Sequence, residues 1–419
     1  MIRAVKQLSE QEACFTQFWT KCMLQLAIEV DSPTVIPELV DFFDNHVLGL
    51  HLHLEGQNLL STRSRSKINQ LPNYVNSLSE GALFAYQNYT PTNPSDGFCS
   101  ISSNDKMIVL NVPHSLGDGG YFKFLVDNFL TNRNLRKSET DVLDKHPFPI
   151  DVHDIFATEI QKAREGPVFI DDPEISRFNS RLPPQKGTEA SFFTFRTDPT
   201  KMKAYNQKNS QNGHVFRFSE FQWLSLFLSK CVNDGFLNKN VGIATCMDLR
   251  NFTNEPSSYG HCCCIAPIIS VFNGVNKDMT IDEVGANLRK SFDARLKAGK
   301  HFSFLKSQNQ NHKVAPGSPL EISNVGSFNI KKPITNVYAS LSSSTHESIT
   351  YITLMGFSVK HENGRNDLSF RISYNPNYIN GREMEAFGKC NRYFLENMTF
   401  DMKIGDSFEE LKKYYESVF

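Results

Sequence analysis

Several features that define other protein classes are missing from this chain. No apolar run approaches the roughly 18 residues needed to cross a bilayer, and the best candidate, around Cys262 to Phe272, ends too soon. The start, Met1-Ile2-Arg3-Ala4-Val5-Lys6-Gln7-Leu8, lacks the apolar core of a secretory signal. Without that context the nine cysteines do not read as a disulfide framework. The Asn-x-Ser/Thr sequences at Asn88, Asn251 and Asn397 then carry no weight as glycosylation sites. Cys-x-x-Cys spacing, from which a tetrahedral zinc site could be built, does not occur. A basic excess is lacking too: 44 Lys plus Arg against 45 Asp plus Glu leave a net charge of -1, which argues against a nucleic-acid partner. The expectation is a soluble, cytoplasmic or membrane-peripheral protein with reduced thiols, no transmembrane segment and no metal.

What is present is ample core material, with 40% apolar and 12% aromatic residues and 34 Phe in 419 residues. That length exceeds one ordinary core and suits two domains. The clearest composition shift is a polar stretch from Asp171 to Gly187 that holds Pro173, Pro183 and Pro184. The expected division is therefore residues 1-170, a crossover at 171-189, and residues 190-419. Ser9-Glu10-Gln11-Glu12 reads as a helix start and Pro37 to Val47 as a helix, followed by strands at Gly49 to Leu54 and near Ala82 to Tyr86. In the second part, strands are expected at Ala190–Arg196, Val241–Asp248 and Cys262–Phe272, with helices from Asp198 to Asn206 and Glu220 to Val232. Thr350–Val359 and Leu368–Tyr374 form a hairpin through Asn363-Gly364, and a closing helix runs from Gly381 to Asn397. Strands and helices alternate in both parts, so the class is α/β with two layered domains.

The segment Val112-Pro113-His114-Ser115-Leu116-Gly117-Asp118-Gly119-Gly120 carries the chemistry. Composition alone would yield about 0.04 His-x-x-x-Asp-Gly matches in a chain of this length. It follows a strand-like run, Lys106 to Val112, and precedes an apolar helix from Tyr121 to Leu130. His114 thus sits on a strand-to-helix connection, where a rigid scaffold can present it. Histidine is the side chain best suited to take a proton near neutral pH. A purely structural role is the alternative, with the Asp closing a turn at the helix start.

With its position about a quarter of the way along, this motif resembles that of the CoA-dependent acyltransferase superfamily, which includes alcohol acetyltransferases, plant BAHD acyltransferases, polyketide-associated acyltransferases and peptide-synthetase condensation domains. The ending, Leu368-Ser369-Phe370-Arg371-Ile372-Ser373-Tyr374 followed by a polar loop and a helix with Phe387, Tyr393 and Phe394, is similar as well. The resemblance implies two similar chloramphenicol-acetyltransferase-like domains, each a mixed sheet flanked by helices, meeting along a tunnel. It implies that His114 is the general base, that acyl-CoA (acetyl-CoA first) is the co-substrate, and that a small alcohol or amine is the acceptor. Asp118 would be structural and turned toward an Arg, with Arg250 in Met247-Asp248-Leu249-Arg250-Asn251 as its match. Gly119 would allow close backbone approach, and Gly119-Gly120 could equally be a flexible lead-in to the helix. Ile322-Ser323-Asn324-Val325-Gly326 resembles a Ser-Asn-x-Gly segment, which would put Ser323 or Asn324 near the oxyanion; a polar turn with Gly326 at positive φ is the alternative.

Two departures narrow the resemblance. Pro113 stands where condensation domains usually carry a second His, and the plant branch's Asp-Phe-Gly-Trp-Gly is absent. The nearest branch is the fungal or microbial alcohol acetyltransferases and N-acetyltransferases, with oxygen and nitrogen acceptors both open. No nucleophile is placed to hold the acyl group, so direct transfer in a ternary complex is expected. Both tunnel walls would come from one chain, so a monomer is expected. His261-Cys262-Cys263-Cys264 reads as buried thiols, because adjacent strand residues face opposite ways. His51 and His53 read as a solvent-facing pair opposite leucines. A catalytically inactive small-molecule-binding or scaffold protein of the same fold is the alternative function.

Overall fold

The computed structural model describes residues 2–7, 22–62, 66–133, 147–163, 172–210, 218–253, 256–307, 316–344 and 351–419. The expected helix start at Ser9-Glu10-Gln11-Glu12 lies outside them. The fold is α/β, with two large mixed sheets that each carry helices.

The first large sheet has five strands, in the order Ile334–Ser343, Cys22–Val30, Met107–Pro113, Ser100–Ser103, Ile68–Gln70. Its centre is fully enclosed, every residue of Met107–Pro113 being buried. An inner strand needs such continuous apolar character. The second sheet runs Ile265–Asn273, Asn240–Asp248, Ser318–Ile330, Ile352–His361, Asn366–Tyr374, Ser191–Thr197, with Arg177–Phe178 paired against Ser318 and Pro319. A three-stranded sheet of Ile2–Gln7, Asn58–Thr62 and Leu52–Glu55 completes the set.

The two cores are stitched together by shared strands. Leu320, Ile322, Ile352 and Leu354 pack in the second core, beneath the helices Phe218–Asp234 and Gly381–Asn397. Farther along the same strands, Val325, Phe328, Ile330, Phe357 and Val359 pack in the first. The register shift between Asn324 and Gly326 marks that passage, and Gly326 takes φ +92° there, a conformation glycine adopts freely. So the Ser323–Gly326 segment is part of a long strand with a bulge rather than a turn. The Ile334–Ser343 strand, from the second part of the chain, becomes an edge of the first sheet by pairing with Cys22–Val30.

Other elements differ from expectation. Ala82–Tyr86 is helical, within Leu78–Tyr89. A capping box of Ser77 and Glu80 starts that helix, and its buried residues Leu78, Gly81, Ala82, Ala85 and Tyr86 follow helical spacing. Gly81 lets the helix lie against the sheet: a Cβ there would stand 2.8 Å from Met107 Sδ. The expected strand at Gly49–Leu54 opens as a 3-10 turn, Leu48–His51, and only Leu52–Glu55 is extended. His51 is buried, with Nε2 2.5 Å from the Asp44 carbonyl, while His53 Nε2 meets Thr62 Oγ1 at 3.1 Å. The expected exposed histidine pair therefore does not form. The Gly381–Asn397 helix is followed by another, Ile404–Val418.

Candidate active site

His114 follows the last residue of the Met107–Pro113 strand, and its backbone N–H donates to the Cys22 carbonyl at 2.9 Å. Its Nδ1 lies 3.0 Å from the Gly117 carbonyl oxygen. A carbonyl can only accept, so Nδ1 carries a proton, and Nε2 is the ring nitrogen that this bond does not engage. The imidazole is half-buried. The bond fixes the orientation of the ring.

Asp118 does not touch this ring. It caps the Gly119–Asn132 helix, its Oδ1 accepting from Tyr121 N at 2.7 Å. Arg250 Nη1 lies 2.9 Å from Oδ1, and Nη2 donates to Oδ2 at 3.0 Å. Cys264 N completes the shell at 2.7 Å from Oδ2. Arg250 also donates through Nε to the His261 carbonyl (3.0 Å), through Nη2 to the Cys262 carbonyl (3.0 Å) and through Nη1 to Asp248 Oδ1 (3.0 Å). Burial opposes the charge on Arg250, yet Asp118 and Asp248 hold its pKa above the ordinary arginine value. Pairing and full hydrogen bonding are the conditions under which a buried charge is tolerated.

The two glycines are packed rather than merely flexible. A Cβ on Gly119 would come within 2.6 Å of Val325 Cγ2. One on Gly120 would lie 2.8 Å from Arg250 Nη1 and strike the Asp248 carboxylate. The helix start is thus seated directly against the bulged strand and the ion-pair network.

Ser323 is half-buried beside Cys246 and Met355 in the parallel register. Asn324 is exposed, and its Nδ2 donates to Gln222 Oε1 at 2.7 Å. Neither has a contact with His114 among the described residues.

Sequence reasoning missed the buried glutamate on the strand that carries Ser323. Glu321 is buried, with Oε1 accepting from Cys246 Sγ (2.9 Å) and Oε2 from Thr353 Oγ1 (2.6 Å). Burial pushes its pKa up, against the lowering effect of those two bonds and of the His114 charge. Cys22, Cys246, Cys263 and Tyr351 retain accessible surface. Even so, protein encloses them closely enough that burial raises every one, Cys22 to about 12 and the others well above their ordinary values. Among the described residues no three His, Cys, Asp or Glu side chains are placed to hold a metal ion.

This architecture is the pseudo-two-domain α/β fold also seen in condensation domains and an acetyltransferase, and the likeness extends over most of the chain. The chain is similar to polyketide synthase associated protein 5 from Mycobacterium tuberculosis, at 12% identity and TM-score 0.64, covering 93% of this chain and 97% of that one. It is similar to the first condensation domain of the calcium-dependent antibiotic synthetase, at 10% identity and TM-score 0.62, covering 96% and 98%. It is also similar to the trichothecene 15-O-acetyltransferase TRI3 from Fusarium sporotrichioides, at 11% identity and TM-score 0.61, covering 94% of each. No protein-family model and no curated protein matches the sequence. No helix among the described residues is long and apolar enough to cross a membrane.

Proposed function

We propose that this protein is an acyl-CoA-dependent acyltransferase that moves an acyl group, acetyl first among candidates, from a CoA thioester to a small alcohol or amine. The observation that carries the reading is the bond from His114 Nδ1 to the Gly117 carbonyl, which engages one nitrogen of the half-buried ring and leaves Nε2 as the proposed base. As the acceptor attacks the thioester carbonyl, Nε2 takes its proton, and the protonated ring then supplies a proton to the leaving thiolate. A thioester is already activated, so the chain need supply only a base, a shaped passage and a donor for the developing oxyanion. Ser323, half-buried on the strand that carries Glu321, is the proposed donor. Asp118 and Arg250 position the loop and touch no reacting atom. Fold similarity to TRI3 and to condensation domains supports acyl transfer as the reaction type.

The test is release of free CoA from acetyl-CoA, and then from longer acyl-CoAs, across a panel of alcohols, amines and amino alcohols. Acceptor-dependent release by the parent that is lost in His114→Ala supports the reading and separates O- from N-acylation. No acceptor-dependent release with any acyl-CoA overturns it in favour of a binding protein. Initial rates with both substrates varied should give intersecting lines, as a ternary complex requires; parallel lines would mean a covalent acyl-enzyme.

A further inference from the structure

Arg371 stands out as a buried cation that pairs with no carboxylate among the described residues. It lies between Phe370 and Ile372, which enter the second core. Alternation therefore sends its side chain out of the opposite face, toward the first sheet. Only 6% of the residue is exposed. Its Nη1 and Nη2 reach Tyr338 Oη at 3.5 Å and Ser342 Oγ at 3.4 Å, both at the outer limit of hydrogen bonding, and Nε has no partner. The guanidinium carbon sits 3.6 Å from the centre of the Phe192 ring. The groups acting on its charge are the hydroxyls of Tyr338 and Tyr86, and burial pushes its pKa down. Arg250, comparably buried, has two carboxylates and two backbone carbonyls. A guanidinium offers five N–H donors in a fork that matches a carboxylate, and an enclosed fork with one idle nitrogen and two long contacts is a receptor short of its ligand.

Its place relates it to His114. Ser342 pairs across the first sheet with Met23, and Met23 with Pro113, the residue before His114. Two strand spacings, roughly 10 Å, therefore separate Ser342 from Pro113. Tyr86, which stands within reach of the Arg371 charge, also feels those of Glu189 and Cys22.

We propose that Arg371 receives a carboxylate of the acceptor, so that the substrates are hydroxy acids or amino acids whose nucleophile and acidic group lie several bonds apart. This rests on the acyl-transfer reading and names its acceptor class. The stacked, enclosed fork suits a planar carboxylate better than the hydrated phosphates of CoA.

The experiment is calorimetric titration of the full chain with ω-hydroxy acids of four to ten carbons, their methyl esters, and acetyl-CoA, using the parent and Arg371→Gln. Arg371→Lys is the second variant, keeping the charge without the fork. The parent is expected to bind at least one acid about tenfold or more tighter than its ester, and Arg371→Gln to bind the two alike. Acetyl-CoA affinity should be unchanged in both variants. Because no strong partner is lost, Arg371→Gln should melt no lower than the parent. Equal binding of acid and ester across the whole series in the parent overturns the proposal without any variant having to fold. Loss of acetyl-CoA affinity in Arg371→Gln would reassign the site to the donor's phosphates and overturn it too. Binding is read without turnover, and His114→Ala should keep the acid preference, so a failure of acyl transfer and a failure of this site are separately visible.

Discussion

Asp118 and Arg250 meet as a two-pronged fork, Nη1 to Oδ1 at 2.9 Å and Nη2 to Oδ2 at 3.0 Å, 132 residues apart in the chain. Tyr121 N and Cys264 N occupy the remaining lone pairs of the carboxylate. The pair bolts the helix start of the motif to the loops that follow the Asn240–Asp248 strand, and Asp118 has nothing left to offer His114.

Asp118→Ala should accordingly cost about 3–5 kcal/mol of stability, because it leaves a buried guanidinium short of its main counter-ion. Equilibrium urea unfolding measures this. Arg250→Met combined with Asp118→Ala should cost less than the sum of the two single changes. Additivity would mean that the pair is not coupled.

His114→Ala should lower acceptor-dependent CoA release by roughly 10²–10⁴-fold. Its side chain makes a single hydrogen bond and is half-buried, so the melting temperature should stay near that of the parent. A large drop in both would point to a structural histidine.

Gly119→Ala should destabilise by about 1–3 kcal/mol, since the added methyl overpacks a filled contact. The atom it meets is Val325 Cγ2, at 2.6 Å. Val325→Ala in the same chain should recover part of the loss in thermal melts. If Val325→Ala only adds to the damage, the seat of the helix on the bulged strand is not what excludes a side chain there.

His301 gives a pH signature. Its ring lies against Phe302 and Phe252, with neither nitrogen bonded, and burial lowers its pKa to about 4. The unfolded chain binds that proton near pH 6.5 and the folded one does not, so stability is full above that value. It falls as pH drops from about 6.5 toward 4, by on the order of 2 kcal/mol. His301→Phe should flatten this part of the curve in denaturant titrations at stepped pH. An unchanged slope would mean that the ring is protonated in the fold.

Much of the layout was readable because it is local. The Met107–Pro113 strand is apolar and β-rich, the Gly381–Asn397 helix has its cap and periodicity, and the 352–361 and 366–374 hairpin turns at Gly364 with φ +83°. Ala82–Tyr86 misled because an apolar run of five fits either element, and the capping box at Ser77 was the signal that decides it. His51 misled in a different way: alternation was applied to residues that the chain coils into a 3-10 turn.

The His114 loop was legible in the sequence by itself, because the motif residues and their flanking strand lie within a few positions of one another, whereas Arg250, 132 residues from Asp118, was matched to it only through the family resemblance. Only the tertiary structure decided which distant side chains come together. Glu321 and Arg371 are, in sequence, unremarkable charged residues inside apolar strands. They become significant because register and alternation turn them both to the face opposite the second core, and because burial then removes the water that would otherwise neutralise their effect. Likewise, Ser323 and Asn324 are neighbours in the chain, but one stands beside Cys246 while the other is engaged by Gln222. Pairing partners tens to hundreds of residues away set those directions, and no local pattern encodes them.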